Sequence, residues 1–459
     1  MNGFKTIGAL AFAFALATPV WAQDMAEEGS EGGENTSEEL TLDGQERLRQ
    51  LEEQVKDLRE ALGNGGSGQH FSDDNGDPRW GGQRPGWKLN LNNTADRPKA
   101  VSAKLGGYFS LAYRGEFGRD RSNTTHFDQH RFVPQLDFQI HDFVTFSSEI
   151  EIEGGGSDVD FLGDNEILVE YAELEFKIMD EFRAKAGLIL VPFGRYNMVH
   201  DDPLHDLFDR PFVARRIVPS AFDQPGIAFA GDIAMEGFSF HYDLAVTQGF
   251  DDEFTTNGGS RDSRQSFRGD DNSNKAVWLR ASVTPDFAYL MGNEDIAASM
   301  GISVNQQTIG HRDFDTTGWG IDGQARWNPQ DMLEGRFTLA FEGEWAAIQI
   351  NRDDTEGVNN LDASYIQLGF QYRPWNDGDW KGWLRDSGYV ALTLRYECND
   401  LDDRQVGGSV RDDREAFTFG LAFRPFLKTV IRSEWKAINS SGQPTDEADR
   451  FVFSISTYF

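Results

Sequence analysis

The sequence predicts an all-β protein: a transmembrane antiparallel β-barrel of about sixteen strands, preceded by a short helical, coiled-coil-like segment. Three observations lead to this fold class. From Lys104 to Phe459, apolar and polar side chains alternate with a period of two, as in a strand with two unlike faces. The alternating segments are roughly ten residues or longer, as membrane-spanning strands are. The connections between them are largely short and long in turn, which is typical of outer-membrane barrels.

In the last predicted strand, Phe451, Phe453 and Ile455 alternate with residues of the opposite face. In hydrocarbon every backbone N–H and C=O must be paired, and a closed barrel achieves this without a free edge. A soluble β-sandwich is the alternative, because the polar faces of its strands would look similar. The predicted strands cover residues 104–117, 130–141, 143–153, 166–178, 182–190, 226–236, 238–247, 276–284, 297–306, 317–327, 336–350, 363–373, 388–397, 415–424, 428–437 and 450–459.

The connections divide into two groups. Tight turns are predicted at His141-Asp142 and Glu236-Gly237, for example, and longer polar loops separate them. Three connections that the alternation requires to be short are longer than usual for such turns. They cover residues 285–296, 328–335 and 374–387.

The chain before the barrel divides into four segments. Residues 1–22 have the features of a signal peptide: the basic Lys5, an apolar run and the cleavage pattern Val20-Trp21-Ala22. Residues 23–44 are acidic and predicted to be disordered. Residues 45–62 predict a helix, residues 63–103 a flexible linker, and residues 104–459 the barrel. The helix seam follows a heptad spacing and is formed by Leu48, Leu51, Val55, Leu58 and Leu62.

Two roles are open for this helix: an interchain coiled coil, or a single amphipathic helix lying on another surface.

Composition excludes several function classes. A formal net charge of -33 argues against nucleic acid as a partner, because both would be strongly negative. The single cysteine, Cys398, excludes an intramolecular disulfide. No window after the signal peptide contains eighteen consecutive apolar residues, so any membrane crossing by this chain uses strands.

The strand phase predicts which charges face the barrel interior. Both signs occur on the inward phase, and an arginine row opposite an acidic wall would orient dipolar solutes without strongly selecting ion sign. For most of these charges a local ion pair with a neighbour is the simpler interpretation. The candidate lumen charges are Arg131, Lys185, Arg280, Arg326, Glu149 and Glu151.

Loop 191–225 is unusually long and rich in apolar residues, which gain free energy only when they are buried. Folding inward against the barrel wall would bury them and narrow the pore. The alternatives are a loop that caps the mouth or packs on a neighbouring subunit. If the loop folds inward, four of its arginines are the candidate pore constriction, although five aspartates lie in the same loop. These arginines are Arg195, Arg210, Arg215 and Arg216.

The stretch from Ala186 to Arg195, with its Val191-Pro192-Phe193 strand end, resembles the phosphate-selective porin O and P family of Gram-negative outer membranes. So does the later Pro225-Gly226, which opens a strand after the long loop. The resemblance covers about residues 104–459. It implies a sixteen-stranded homotrimeric porin in outer-membrane lipid, with the N-terminal segment in the periplasm and an inward third loop. The implied activity is passive diffusion of small polar solutes or ions, especially phosphate and other anions.

The aromatic terminus Tyr458-Phe459 resembles the signal that the barrel-assembly machinery reads, which implies that machinery as a partner through Phe459. We assign no catalytic residue, metal ligand or cofactor, because the hydrolase, nucleotide-binding and metal motifs searched for do not occur with the required spacing. His200 and His205, with the aspartates around them, are a weak metal candidate. Two other function classes stay open: a structural envelope anchor, and a barrel-embedded lipid hydrolase.

Overall fold

A computed structural model describes the barrel and its main inner loops. The described residues are 86–90, 102–118, 123–154, 167–265, 275–309, 314–351, 358–376, 379, 384–385, 387–401, 413–440 and 448–459. The predicted signal peptide, acidic segment and helix, which together cover residues 1–62, lie outside this set, as does most of the predicted linker. Within the described residues, no helix is both long and apolar enough to cross a membrane.

The described strands form one antiparallel sheet that closes on itself. A short strand, β1 (Gly86–Asn90), precedes the sixteen strands of the barrel. The barrel strands are β2 (Ser102–Phe117), β3 (Thr124–His141), β4 (Val144–Glu153), β5 (Ile167–Met179), β6 (Phe182–Leu190), β7 (Asp223–Met235), β8 (Phe238–Thr247), β9 (Ala276–Pro285), β10 (Ile296–Ile309), β11 (Phe314–Trp327), β12 (Phe337–Asn351), β13 (Asn360–Tyr372), β14 (Tyr389–Asp400), β15 (Arg414–Phe426), β16 (Thr429–Ser440) and β17 (Asp449–Tyr458).

The predicted fold class is confirmed: the chain is a closed, sixteen-stranded antiparallel β-barrel. Each strand pairs with the next along the chain, and β17 closes the barrel by pairing with β2 from Asp449↔Phe117 to Tyr458↔Tyr108. Two predicted strands, 182–190 and 238–247, have the observed bounds. The main difference lies at the long-loop end, where β3 begins six residues before the predicted 130. Alternation is weak there because Phe127 is the only apolar residue of positions 124–129.

Strand β15 shows why this sequence makes a membrane barrel. Phe417, Phe419 and Leu421 are exposed on its outer face, while Thr418 and Gly420 between them are buried on the inner face. In hydrocarbon, backbone groups cannot pair with water, so the apolar outer face requires the continuous ladder that closure supplies. The inner face therefore carries the polar side chains.

The three long connections on the short-turn side join antiparallel neighbours, as the alternation requires. The first contains a helix, α1 (Phe287–Met291), whose N-terminal Asp286 side chain accepts a hydrogen bond from Tyr289 N at 3.0 Å. Gly292 ends this helix with a φ of 64°, a conformation that favours glycine. The second contains a 3₁₀ turn at Leu333–Gly335. The third, 373–388, is described only in part.

Strand β1 lies within the range predicted as linker. It pairs with the start of β2, from Gly86↔Gly106 to Asn90↔Ser102, on the edge that β17 leaves open below Tyr108. The five residues Gly86-Trp87-Lys88-Leu89-Asn90 are too few for their alternation to be distinguished from chance. The first strand of the barrel is therefore paired on both edges over most of its length.

The C-terminus is fixed against the same strand. Phe459 N donates to Gly107 O at 3.0 Å, and the Phe459 ring stacks on Phe132 with centroids 5.9 Å apart. Gly107 has a φ of 145°, and a Cβ there would lie 2.1 Å from Val133 O. Only glycine fits this position without moving the neighbouring strand.

Candidate pore constriction

The inner loop, residues 191–222, joins β6 to β7 and packs inside the barrel. It is slightly shorter than the predicted loop, because β7 begins at Asp223. Its apolar side chains meet Trp278, Ile348 and Tyr365 on the wall. Each large apolar side chain gains about 1.5–3 kcal/mol on burial, which offsets the cost of ordering the loop. The buried apolar residues are Phe193, Tyr196, Leu204, Leu207, Phe208, Phe212, Val213, Ile217 and Val218.

Three inward glutamates accept hydrogen bonds from the backbone of the inner loop. Each takes N–H groups that would otherwise be unpaired inside the barrel, and charge-assisted bonds of this kind are the stronger ones. Glu344 accepts from Tyr196 N at 2.9 Å. Glu434 accepts from Phe208 N at 2.6 Å and Asp209 N at 2.9 Å, and Glu397 accepts from Phe212 N at 2.5 Å.

Two arginines of the same part of the wall, on β15 and β16, hold the carbonyl groups of the same loop. Arg432 Nη1 donates to the carbonyl oxygens of residues 202, 205 and 207 at 2.8, 2.9 and 3.2 Å. Arg424 donates to Pro203 O at 2.7 Å and pairs with the Asp206 carboxylate, also at 2.7 Å. Charged side chains of the inner face therefore hold the inner loop, and these charges have protein groups as partners.

All six candidate lumen charges lie on strands, and their nearest described partners are protein side chains. Arg131 pairs with Glu151 and lies 3.1 Å from Asp202 of the inner loop. The other described contacts are Gln135 Nε2 to Glu149 Oε2 at 3.0 Å, Lys185 Nζ to Glu173 at 2.8 Å, Arg280 to Asp322 at 2.5 and 2.9 Å, and Arg326 Nη2 to Gln371 Oε1 at 3.0 Å.

The four candidate constriction arginines lie in different surroundings. Arg195 is 7% exposed and is bound to the wall, with Glu342 at 3.3 Å and Gln324 at 2.6 Å. Arg215 has a side chain 36% exposed and lies 4.0 Å from Asp209. Arg216 and Arg210 lie on the side of the loop that meets a second segment. Arg195 thus acts as a wall contact, whereas Arg210, Arg215 and Arg216 are partly exposed.

That second segment, residues 248–265, also enters the barrel, and sequence reasoning missed it. Phe250 stacks on Phe222 with centroids 5.0 Å apart, and Ser260 N donates to Arg216 O at 2.8 Å. Gly259, with a φ of 66°, lies so close that a Cβ would be 2.1 Å from Arg216 O. The segment is mostly polar and glycine-rich, so Phe250 and Phe254 were its main indication in the sequence that it is buried. We call it the second inner loop.

The two inner loops bring Arg210 and Arg261 together. Both guanidinium groups donate to one oxygen, Ser220 O, at 2.5 Å from Arg210 and 3.3 Å from Arg261. Among the described residues, no carboxylate lies within ion-pair distance of either, and Arg210 Nε and Nη2 are buried without a hydrogen-bond partner. Desolvation, followed by the charges of Arg264 and Arg210 and of more distant arginines, lowers the pKa of Arg261 to about 10. Within the part of the chain that the structure describes, this is a pair of cations without a carboxylate at ion-pair distance.

The two loop histidines turn their rings to the backbone. His200 Nδ1 lies 2.6 Å from Asn197 O, and His205 Nε2 lies 2.7 Å from Val199 O. Burial lowers the pKa of both, that of His205 to about 3. In the described part of the chain, no group of three or more His, Cys, Asp and Glu side chains is arranged to hold a metal ion.

A lipid hydrolase would need a histidine that activates a serine. His241, a strand histidine on the inward phase, has both ring nitrogens on carboxylates. Nδ1 lies 2.7 Å from Asp232 and Nε2 lies 2.8 Å from Asp243. A histidine that activates a serine needs one nitrogen for the hydroxyl. This geometry leaves none.

No family model matches the chain. A stretch of 138 residues is 32% identical to an uncharacterized protein of Aquifex aeolicus (strain VF5), covering 29% of this chain and 30% of that relative's length. Among solved structures, OprB of Pseudomonas putida is similar with a TM-score of 0.50 and 12% identity, over 77% of this chain and 93% of that one. An anion-selective porin from Comamonas acidovorans gives a TM-score of 0.47 and 14% identity, over 78% and 100%. The chain shares the outer-membrane β-barrel fold with OprB.

Proposed function

We propose that this protein is an outer-membrane porin, a water-filled channel for passive diffusion of small polar solutes or ions. The observation that carries the proposal is a closed barrel with a polar interior, across which a loop is held by charged wall residues such as Arg432 and Glu434. A barrel that only anchored the envelope would have no need of a loop fixed inside it at this many points. OprB of Pseudomonas putida shares the fold.

The test is conductance in planar bilayers. The purified barrel, added to one side of a bilayer in potassium chloride, should produce discrete current steps of uniform size. Heat-denatured protein from the same preparation is the control. Folded protein that inserts without current steps would contradict the channel and favour the anchor.

We infer further that the constriction favours anions. Arg210 and Arg261 lie side by side without a carboxylate partner among the described residues. Unmatched positive charge at the narrow part of a channel attracts anions. Phosphate is one candidate anion, on the strength of the sequence resemblance.

Reversal potentials in a potassium chloride gradient test this inference. The wild type should favour chloride, and the double variant Arg210→Glu with Arg261→Glu should shift the reversal potential toward potassium. Arg336→Glu, at the short-turn rim beside Glu334, is the control and should leave it nearly unchanged. Phosphate added to the wild type should reduce the chloride current in a saturable way. A reversal potential that the double variant does not move would remove this pair from the pore.

Three further properties are proposed from the resemblance and the pattern: a homotrimer, an N-terminal segment in the periplasm, and recognition of Phe459 by the barrel-assembly machinery. Phe459 lies on the outer face, 37% exposed, with its ring against Phe132. Deleting Phe459 should slow assembly in cells more than refolding in detergent. Equal defects in both would instead indicate a role in barrel stability.

A further inference from the structure

A cavity that is partly open to the lumen lies between the inner loop and the inward faces of β11 to β14. It is separate from the Arg210–Arg261 pair. Ala340 and Gly369 are among its smallest lining residues, and their small side chains leave room on the wall. Amide and hydroxyl side chains supply most of its uncharged polar lining, namely Gln324, Gln367, Gln371 and Thr393.

The three amides of this lining are held in fixed orientations. Each amide oxygen accepts a hydrogen bond from an arginine, so each NH₂ group has a defined direction. Preorganised polar groups bind a ligand with less loss of side-chain entropy than mobile ones. The three bonds are Arg195 to Gln324 at 2.6 Å, Arg395 to Gln367 at 3.0 Å, and Arg326 to Gln371 at 3.0 Å.

Two of the lining groups have hydrogen-bonding capacity to spare. Thr393 is 1% exposed, and its Oγ1 has no hydrogen-bond partner among the described residues. Gln367, 9% exposed, uses its oxygen for Arg395, and no described residue accepts from its Nε2. Both residues flank Gly369, since Gly369 pairs with Thr393 and Gln367 is two residues away on β13. A buried hydroxyl without a partner is costly, and a bound hydroxylated ligand would satisfy it.

The charges that line the cavity have partners within the protein. Glu342 pairs with Arg195 at 3.3 Å, and Asp206 pairs with Arg424 at 2.7 Å. Arg326 donates to Gln371. The formal charges of the lining also balance, with two cations and two carboxylates. The cavity therefore offers hydrogen bonds without a net field, which suits a neutral ligand better than an ion.

We propose that this cavity is a binding site for neutral, polyhydroxylated solutes of the sugar or polyol class. A sugar hydroxyl both donates and accepts, as the free amide N–H and the Thr393 hydroxyl require. The proposal rests on the channel function, because the solute must reach the cavity through the lumen. It adds a solute class that the Arg210–Arg261 pair does not select.

Glucose is the probe. In planar bilayers with single wild-type channels, increasing glucose should produce a saturable increase in current noise as molecules enter and leave the cavity. Thr393→Val and Gln367→Met keep the side-chain size and remove the hydrogen-bonding groups, and each should weaken apparent glucose affinity several-fold. Thr418→Val is the matched control, since Thr418 is also buried on the wall with an unpartnered Oγ1 but does not line the cavity. Its glucose response should equal that of the wild type.

Gly369→Val gives an independent measurement. A Cβ at Gly369 would make only ordinary contacts, the nearest at 3.5 Å to Ala340 Cβ, so a larger side chain should fill the cavity with the barrel intact. This variant should lose the glucose response. Channels that conduct but show no saturable glucose noise would overturn the proposal and leave the channel function standing. An equal loss of affinity in Thr418→Val would also overturn it. Absence of conductance in the wild type would contradict the channel itself.

Discussion

Asp206 and Arg424 form a buried ion pair 2.7 Å long, although 218 residues separate them in the chain. Asp206 belongs to the inner loop and Arg424 to β15 on the far wall, so the pair spans from loop to wall. Tyr389 and Gln371 also donate to the Asp206 carboxylate. This carboxylate is a central attachment point of the loop.

Replacing Arg424 by Gln should loosen the inner loop. Removing one partner of a buried pair leaves the other charge uncompensated, at a cost on the order of 3 kcal/mol. Single-channel records should show more open-state noise, and protease should cut the loop faster. Arg183→Gln is the control, because Arg183 pairs with Asp232 at 2.6 Å and makes no described contact with the loop. Equal noise in both variants would contradict a specific clamp.

Acid should loosen the same loop through His205. Burial lowers the pKa of His205 from 6.5 to about 3, so an undocked loop binds a proton that the docked loop does not. Docking is therefore undisturbed by His205 above about pH 6.5 and is progressively weakened as the pH falls toward 3. Current noise at stepped pH measures this. His205→Gln keeps a donor for Val199 O without titrating, and should flatten the pH dependence; an unchanged pH profile would place the sensitive group elsewhere.

Replacing Gly107 by Ala should impair barrel closure. The added Cβ would meet Val133 O at 2.1 Å, and the backbone conformation is unfavourable for alanine, together costing on the order of 2 kcal/mol. The folded fraction on unheated gels should fall. Gly323→Ala, where the nearest atom would be 3.6 Å away, is the control and should fold normally. Normal folding of both variants would show that β2 and β3 can separate to accept the methyl group.

The predicted helix seam remains a prediction, because residues 45–62 lie outside the described part. If the seam joins chains, replacing Leu51 and Leu58 by Asp should weaken oligomers in mild detergent while the barrel still folds, since charge is costly at an apolar interchain seam. Crosslinking followed by gel electrophoresis measures the oligomers. Oligomers as stable as those of the wild type would favour a single helix lying on another surface.

The barrel could be predicted from the sequence because each strand carries its own signal. Phe417, Phe419 and Leu421 alternate with smaller or polar residues whatever the rest of the chain does, and lipid on one side with water on the other requires this. Strand β1 was not predicted, because five residues are too few to show an alternating pattern. The inner loop was detectable from its apolar residues, which have no place in solvent.

The contacts that hold the inner loop to the barrel wall could not be predicted from the sequence in the same way. Period two indicates that Arg424 and Glu434 face inward, but it does not distinguish a charge that meets water from one that meets a loop. That distinction depends on contacts between residues about two hundred positions apart. Only one member of the Arg210–Arg261 pair could be predicted. Arg210 was a candidate constriction residue, whereas Arg261 lies in a polar segment with little sign of burial.

Both loops that supply Arg210 and Arg261 enter from the long-loop end, between β6 and β7 and between β8 and β9. Both guanidinium groups contact Ser220 O, three residues before β7 begins at Asp223, so their positive charge lies toward the long-loop mouth of the barrel. A conducting channel with fixed charge near one mouth gathers anions there and passes unequal currents at equal and opposite voltages. Rectification would thus report the direction in which the barrel inserted, without any label on the protein.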